Sequence, residues 1–167
     1  VENYNSRRVT VLKRVLFVCL GNICRSPMAE AIFRDLIKRE GLEKEVEVDS
    51  AGTGDWHIGH PPHHGTRALL ERKGISYEGI KARQIVKDDV KDFQYIIAMD
   101  ESNMENMMKI YGESDSTYYG RLLDLIPSCS NKNVPDPYFT GNFDEVYELV
   151  SAGCEQLLKK IKKEHQL

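Results

Sequence analysis

Cys19 and Arg25 stand on one short stretch, separated by Leu20, Gly21, Asn22, Ile23 and Cys24 and followed at once by Ser26-Pro27. A thiol and a guanidinium at this spacing, on a loop that runs into a helix, suit nucleophilic attack on an anion. Such a loop turns successive backbone N–H groups into one concavity, and these nests bind anions. The helix dipole adds positive potential at the same point. Arg25 closes the ring with a planar fork that fits two oxygens of a phosphate. Cys19 lies among these positive ends, which favour its thiolate, the nucleophilic form. Gly21 reaches backbone conformations closed to other residues, and Asn22 tolerates the left-handed region. Ser26 is placed to donate a hydroxyl hydrogen to the thiolate. Residues 20–26 thus read as a phosphate cradle around a nucleophile. Read singly, Cys19 is a core cysteine closing a strand, and Arg25 is a solvated cation poorly placed against the dipole. The set in register favours chemistry.

A second chemical group lies far downstream in Asp136-Pro137-Tyr138-Phe139. Breaking an aryl phosphate ester leaves a phenolate, and a positioned acid that protonates it contributes roughly 10²–10⁴ in rate. Pro137 keeps Asp136 out of the helical region and so limits where its carboxyl points. On its own, Asp-Pro is a common turn signal. Beside the Cys19 loop it reads as a general acid that later serves as base. Arg25 and the backbone supply the positive charge that Mg²⁺ gives in other phosphoryl transfers, so no metal and no cofactor is expected. A Walker-type nucleotide site is excluded because the loop lacks the Gly-Lys-Ser/Thr ending.

Trp56 is the single tryptophan and lies in a polar, glycine-rich stretch, 50–62. Most aromatics pack in cores, but this stretch offers little core to fill, so Trp56 reads as the wall of a binding cleft. Tyr138 and Phe139 read as the opposite wall. His57, His60, His63 and His64 suggest a metal cluster at first sight. Zinc sites use fixed ligand spacing, often with cysteines, and no cysteine is near in sequence. The histidines read as solvated loop residues, with His57 as a substrate contact.

Cys19-Leu20-Gly21-Asn22-Ile23-Cys24-Arg25-Ser26-Pro27 together with Asp136-Pro137-Tyr138 resembles the low-molecular-weight protein tyrosine phosphatases. The likeness continues through Asp49-Ser50-Ala51-Gly52, Asp55-Trp56, Ala82-Arg83-Gln84-Ile85 and Ala98-Met99-Asp100-Glu101-Ser102-Asn103, nearly the whole chain from Lys13 onward. The resemblance implies a phosphotyrosine hydrolase that works through a cysteinyl phosphate. It implies an aromatic wall at Trp56, a structural aspartate near the site at Asp100, and four parallel strands in order 2-1-3-4. Many members carry two tyrosines where this chain has Tyr138-Phe139, so any regulatory phosphorylation there rests on Tyr138. Cys19 and Cys24 bound a loop that must curl round one phosphate, which brings them toward the ~7 Å a disulfide requires. The family shares this pair, which implies a redox switch.

Three rivals are weaker. Arsenate reductases of this fold use an added downstream cysteine pair, whereas Cys129 and Cys154 stand alone here. Bacterial arginine phosphatases resemble this sequence but carry Thr in place of Ile23. A binding module without turnover has no need of both Cys19 and Asp136.

The elements that position these groups alternate between strand and helix. Apolar runs suggest strands at 15–18, 46–49, 95–99 and 122–126. Helical spacing suggests helices at 27–40, 63–73 and 144–163, a short one opened by Lys87-Asp88-Asp89, and one after Asp100. Met28, Ile32, Phe33, Leu36 and Ile37 form the inner face of the first helix. Val146, Leu149, Val150, Leu157, Leu158 and Ile161 form that of the last, with Asn142 or Asp144 as its cap. Met104, Met107 and Met108 read as packing. This is a single-domain α/β pattern with a parallel sheet and helices on both faces. In such sheets ligands bind beyond the carboxyl ends of strands, where the Cys19 loop falls.

The 167 residues suffice for one core, spanning 13–167, with residues 1–12 read as a tail that is disordered or not native. The net charge of −3 gives no electrostatic case for nucleic acid or anionic membrane, and no apolar run approaches the ~20 residues of a membrane span. Four scattered cysteines suit a reducing, cytoplasmic setting rather than a disulfide framework. The expected partner is a phosphotyrosine-containing protein, met by a monomer or weak dimer.

Overall fold

The computed structural model describes residues 11–167. The expected tail, residues 1–12, lies outside the described residues as far as residue 10. The central strand β1 (Lys13–Cys19) pairs in parallel with β2 (Val46–Gly52) on one side and β3 (Tyr95–Ala98) on the other. β3 pairs in parallel with β4 (Tyr118–Arg121), which gives the expected order β2-β1-β3-β4.

Val15 through Cys19 are all buried because helices cover both faces of the strand. Val15, Phe17 and Cys19 face a core shared with α1 (Arg25–Arg39), α2 (His64–Arg72) and α6 (Phe143–His165). Leu16 and Val18 face the other side, against Met107 and Tyr111 of α4 (Glu101–Tyr111) and beside the short α3 (Asp89–Asp92). The methionines pack as expected: Met107 is fully buried, and Met104 and Met108 lie partly buried against the same cluster. Asn142 caps α6 by accepting from Glu145 N at 3.1 Å. Among the described residues no helix is long and apolar enough to cross a membrane.

Three local expectations need correction. The strand placed at 122–126 is a 3-10 turn, Leu122–Leu125, and the edge strand is the preceding Tyr118–Arg121. Asp124 Oδ2 accepts from Arg121 N at 3.0 Å and turns the chain there. Leu122 and Leu123 are buried in the helix-side core, and a short buried apolar run has the same pattern whether strand or turn. β2 runs on to Gly52, taking in residues expected to be loop, because Ser50 and Gly52 stay in register with Phe17 and Cys19. A one-turn helix, α5 (Pro137–Thr140), follows Asp136 unannounced, with proline at its first position.

Candidate active site

β1 ends at Cys19, and residues 20–24 turn directly into α1, whose first residues are Arg25 and Ser26. Carbonyls at both ends of the loop are fastened by the surrounding chain. Thr53 N donates to Cys19 O and Gly54 N to Leu20 O, both at 2.9 Å. His63 N donates to Ile23 O at 2.7 Å, and Thr66 Oγ1 to Cys24 O at 3.2 Å. Among the described residues, no main-chain N–H from Leu20 to Ser26 donates to a main-chain carbonyl. With the Cys19, Leu20, Ile23 and Cys24 carbonyls committed and its N–H groups uncommitted at a helix start, the loop has the form of an anion nest.

Two residues allow this curl. Asn22, not Gly21, takes the left-handed backbone, at φ 56°. Gly52 of β2 lets the loop approach: a Cβ there would lie 2.9 Å from Leu20 O and 3.1 Å from Gly21 C. Gly21 is closely approached, since a Cβ on it would lie 3.1 Å from His57 Cδ2 and that ring would have to give by a few tenths of an ångström.

Arg25 is buried, not solvated. Its NH1 donates to Asp100 Oδ2 at 2.6 Å and to Val134 O at 3.0 Å, and its NH2 to Asp136 Oδ2 at 3.4 Å. Its Nε is buried and has no partner among the described residues. Burial works against the charge, but Cys19, Asp100 and Asp136 outweigh it and hold the guanidinium above its usual pKa. Asp100 also caps α4, its Oδ1 accepting from Asn103 N at 2.7 Å, so one carboxylate orients both the helix and the arginine.

Asp136 is extended (φ −85°, ψ 109°), as its proline requires. Its Oδ1 accepts from Tyr138 N at 3.1 Å, and its Oδ2 faces Arg25. Ser26 Oγ lies 2.9 Å from Cys19 Sγ. Burial above all, then the charges at Cys19 and Asp136, push the Cys24 thiol up to about 12.

These groups share a cavity of about 220 Å³. The loop contributes Cys19, Leu20, Gly21, Ile23, Cys24 and Arg25; the segment after β2 contributes Trp56 and His57; α5 and its cap contribute Asp136, Tyr138 and Phe139. Trp56, Tyr138 and Phe139 are 65%, 57% and 76% exposed, so they form a rim and not a core. The Trp56 ring folds over Gly54, where an added Cβ would meet it at 1.9 Å. Of the cradle residues, Asn22 and Ser26 do not line the cavity. They are buried, and Asn22 Nδ2 donates to Ser26 Oγ at 2.7 Å.

The histidines divide. His57 lines the cavity, and His60 and His64 are exposed. His63 corrects the solvated reading: its Nδ1 accepts from Gly65 N at 3.1 Å and caps α2, while its ring stacks on Phe143 with centroids 5.3 Å apart. Among the described residues no group of three His, Cys, Asp or Glu side chains is arranged to hold a metal ion. Sequence reasoning missed Ser50, Glu30 and Arg83, which back the loop from β2, α1 and the segment after α2. One signal was available: Glu30 is an acid set inside the apolar run 27–33.

Comparison with known proteins agrees with this geometry. Residues 14–167 match the family model of low molecular weight phosphotyrosine protein phosphatases. The low molecular weight protein-tyrosine-phosphatase YfkJ of Bacillus subtilis is 56% identical over 153 residues, covering 92% of this chain and 98% of its own. Its crystal structure superposes with a TM-score of 0.90, covering 93% of this chain and 98% of that one. PtpA of Staphylococcus epidermidis is 44% identical, covering 92% of this chain and 96% of its own. A Drosophila arginine phosphatase structure is 36% identical, with a TM-score of 0.80, covering 89% of this chain and 97% of that one. The chain belongs to the low molecular weight phosphotyrosine protein phosphatase family.

Proposed function

We propose that this protein hydrolyses phosphotyrosine in proteins and peptides, and small aryl phosphates, through a phosphate ester of Cys19. The Cys19 thiolate attacks phosphorus, forming the S–P bond as the P–O bond to the phenol breaks. The loop N–H groups and Arg25 hold the equatorial oxygens, and Asp136 gives its proton to the departing phenol oxygen. Water then attacks the phosphorus, Asp136 takes its proton, the S–P bond breaks, and phosphate leaves with the thiolate restored. Leu20 to Ser26 act as the phosphate cradle. Trp56, Tyr138 and Phe139 flank the phenol ring, and His57 touches substrate.

The observation that carries this reading is the buried Nε of Arg25, unpartnered among the described residues, on a residue that shares its cavity with Cys19 and Asp136. A buried donor without an acceptor is costly, and a phosphate oxygen removes that cost. The likeness to an arginine phosphatase raises a second reading. Ile23 weighs against it, because an apolar side chain in the cavity wall suits a phenol ring better than a guanidinium. Turnover of phosphotyrosine, phosphoserine and phosphoarginine peptides with EDTA present tests both. Preference for phosphotyrosine is expected; preference for phosphoarginine, or activity lost to EDTA and restored by a divalent metal, overturns the reading.

On the same reading Cys19 and Cys24 form a redox pair. Cys24 is held protonated by burial, so peroxide oxidises Cys19 to a sulfenic acid, and Cys24 condenses with it to a disulfide with loss of water. The four free thiols suit a reducing compartment, which supports reading the protein as cytoplasmic. There it acts on phosphoproteins as a monomer or weak dimer, and its net charge of −3 offers no field for nucleic acid or an anionic membrane.

A further inference from the structure

Glu30 is a buried carboxylate that the proposed reaction does not use; it is 8% exposed and lies one helical turn beyond Ser26 on α1. Ser50 Oγ donates to Glu30 Oε1 at 2.7 Å. Asn22 Nδ2 donates to Ser50 Oγ at 2.9 Å and to Ser26 Oγ at 2.7 Å. Ser26 Oγ lies 2.9 Å from Cys19 Sγ. An unbroken chain of hydrogen bonds therefore joins Glu30 to the nucleophile.

Donor counting fixes its direction. Arg83 N donates to Asn22 Oδ1 at 3.0 Å, which sets the amide so that its NH₂ faces the two hydroxyls. Each serine hydroxyl has one hydrogen and already accepts from Asn22. Ser26 must therefore spend its hydrogen on Cys19, and Ser50 must spend its own on Glu30.

We infer that Glu30 is a positioning residue for the nucleophile: as terminal acceptor it fixes Ser50, holds Asn22 in its left-handed turn, and keeps the Ser26 hydrogen aimed at Cys19. This rests on the reading of Cys19 as nucleophile. The chain needs Glu30 as an acceptor. A protonated Glu30 can donate to Ser50 instead, which leaves the Ser50 hydrogen facing only the Asn22 NH₂, itself a donor. The charged groups facing Glu30 are Arg34 on its own helix, Asp49 beside Ser50 on β2, and Arg83, which holds Asp49 at 3.0 Å. Burial outweighs both cations and pushes Glu30 up to about 7, so as pH falls through neutrality the charged acceptor gives way to a weaker neutral one that can also donate.

The test reads Cys19 directly, without relying on phosphatase activity. Carboxamidomethylation of Cys19 by iodoacetamide is followed by peptide mass across acid to neutral pH in the parent, Glu30→Ala, Glu30→Gln and Ser26→Ala. Glu30→Ala should slow the reaction about tenfold, the size of one lost hydrogen bond to a charged group. Glu30→Gln keeps a neutral acceptor oxygen, so it should hold the rate near the parent's low-pH level and abolish the step near pH 7 expected of the parent. In a Ser26→Ala background, Glu30→Ala should have no further effect, because the link is already cut. A Glu30→Gln profile that keeps the parental step overturns the inference. So does a Glu30→Ala effect that survives undiminished in Ser26→Ala. Failure of the phosphotyrosine assay with these alkylation results intact would overturn the substrate reading alone.

Discussion

Arg25 NH1 lies 2.6 Å from Asp100 Oδ2, across the gap between the starts of α1 and α4. The pair locks the guanidinium from behind and leaves its Nε without a partner among the described residues. Two helix starts and one cation are thereby tied to a single carboxylate, whose other oxygen caps α4.

Replacement of Asp100 separates these tasks. Asp100→Asn keeps an N-cap, since Asn and Asp cap about equally well, but removes the negative charge that faces Arg25. We expect a lower thermal midpoint, because the buried guanidinium loses its anionic partner, and a fall in kcat/KM of about tenfold or more, as befits a hydrogen bond between charged groups. Asp100→Ala should lose the same activity and, with the cap gone, a further loss of about 0.5–2 kcal/mol of stability should follow. An Asp100→Asn protein with parental kcat/KM would show that Arg25 needs no such anchor.

Asp136→Ala should slow hydrolysis strongly for phenols that leave poorly and much less for those that leave well, because only the former need the proton. The slope of log kcat against leaving-group pKa measures this directly. Equal slowing across the series would count against the acid role.

Trp56→Ala and Tyr138→Ala should each raise KM for phosphotyrosine peptides, with stacking worth about 0.5–1.5 kcal/mol beyond buried area. Both rings are more than half exposed, so their removal should leave stability near the parent. Unchanged KM in both variants would remove the cleft walls from the account.

Cys24→Ser tests the redox pair. After peroxide inactivation, excess dithiothreitol should return most of the parent's activity and much less of that of Cys24→Ser. Equal recovery would show that Cys24 only packs beneath the loop.

The sheet, the Cys19 loop and the Asp136 turn were legible because each depends on residues close in sequence. An apolar run, a Cys-to-Arg spacing and an Asp-Pro step carry their own geometry. The edge strand was not legible. Leu122 and Leu123 are more apolar than Tyr118–Arg121, yet they are buried as a turn fixed by Asp124. The backing of the loop was hidden for a different reason. Asn22 meets Ser50 across 28 positions and Arg83 across 61, and only the fold brings such pairs together. His63 was misread because its ring nitrogen caps α2, a role that a run of loop histidines does not announce.

The most direct test of the central claim is where phosphorus goes during turnover. The protein is mixed with an aryl phosphate in the presence of EDTA, quenched in acid within the first turnovers, and mapped by peptide mass. We expect one added phosphoryl group on the peptide carrying Cys19, none on any other residue, and neither label nor turnover in Cys19→Ser. Continued turnover by Cys19→Ser, or turnover by the parent with no phosphoryl group ever found on Cys19, would contradict that claim.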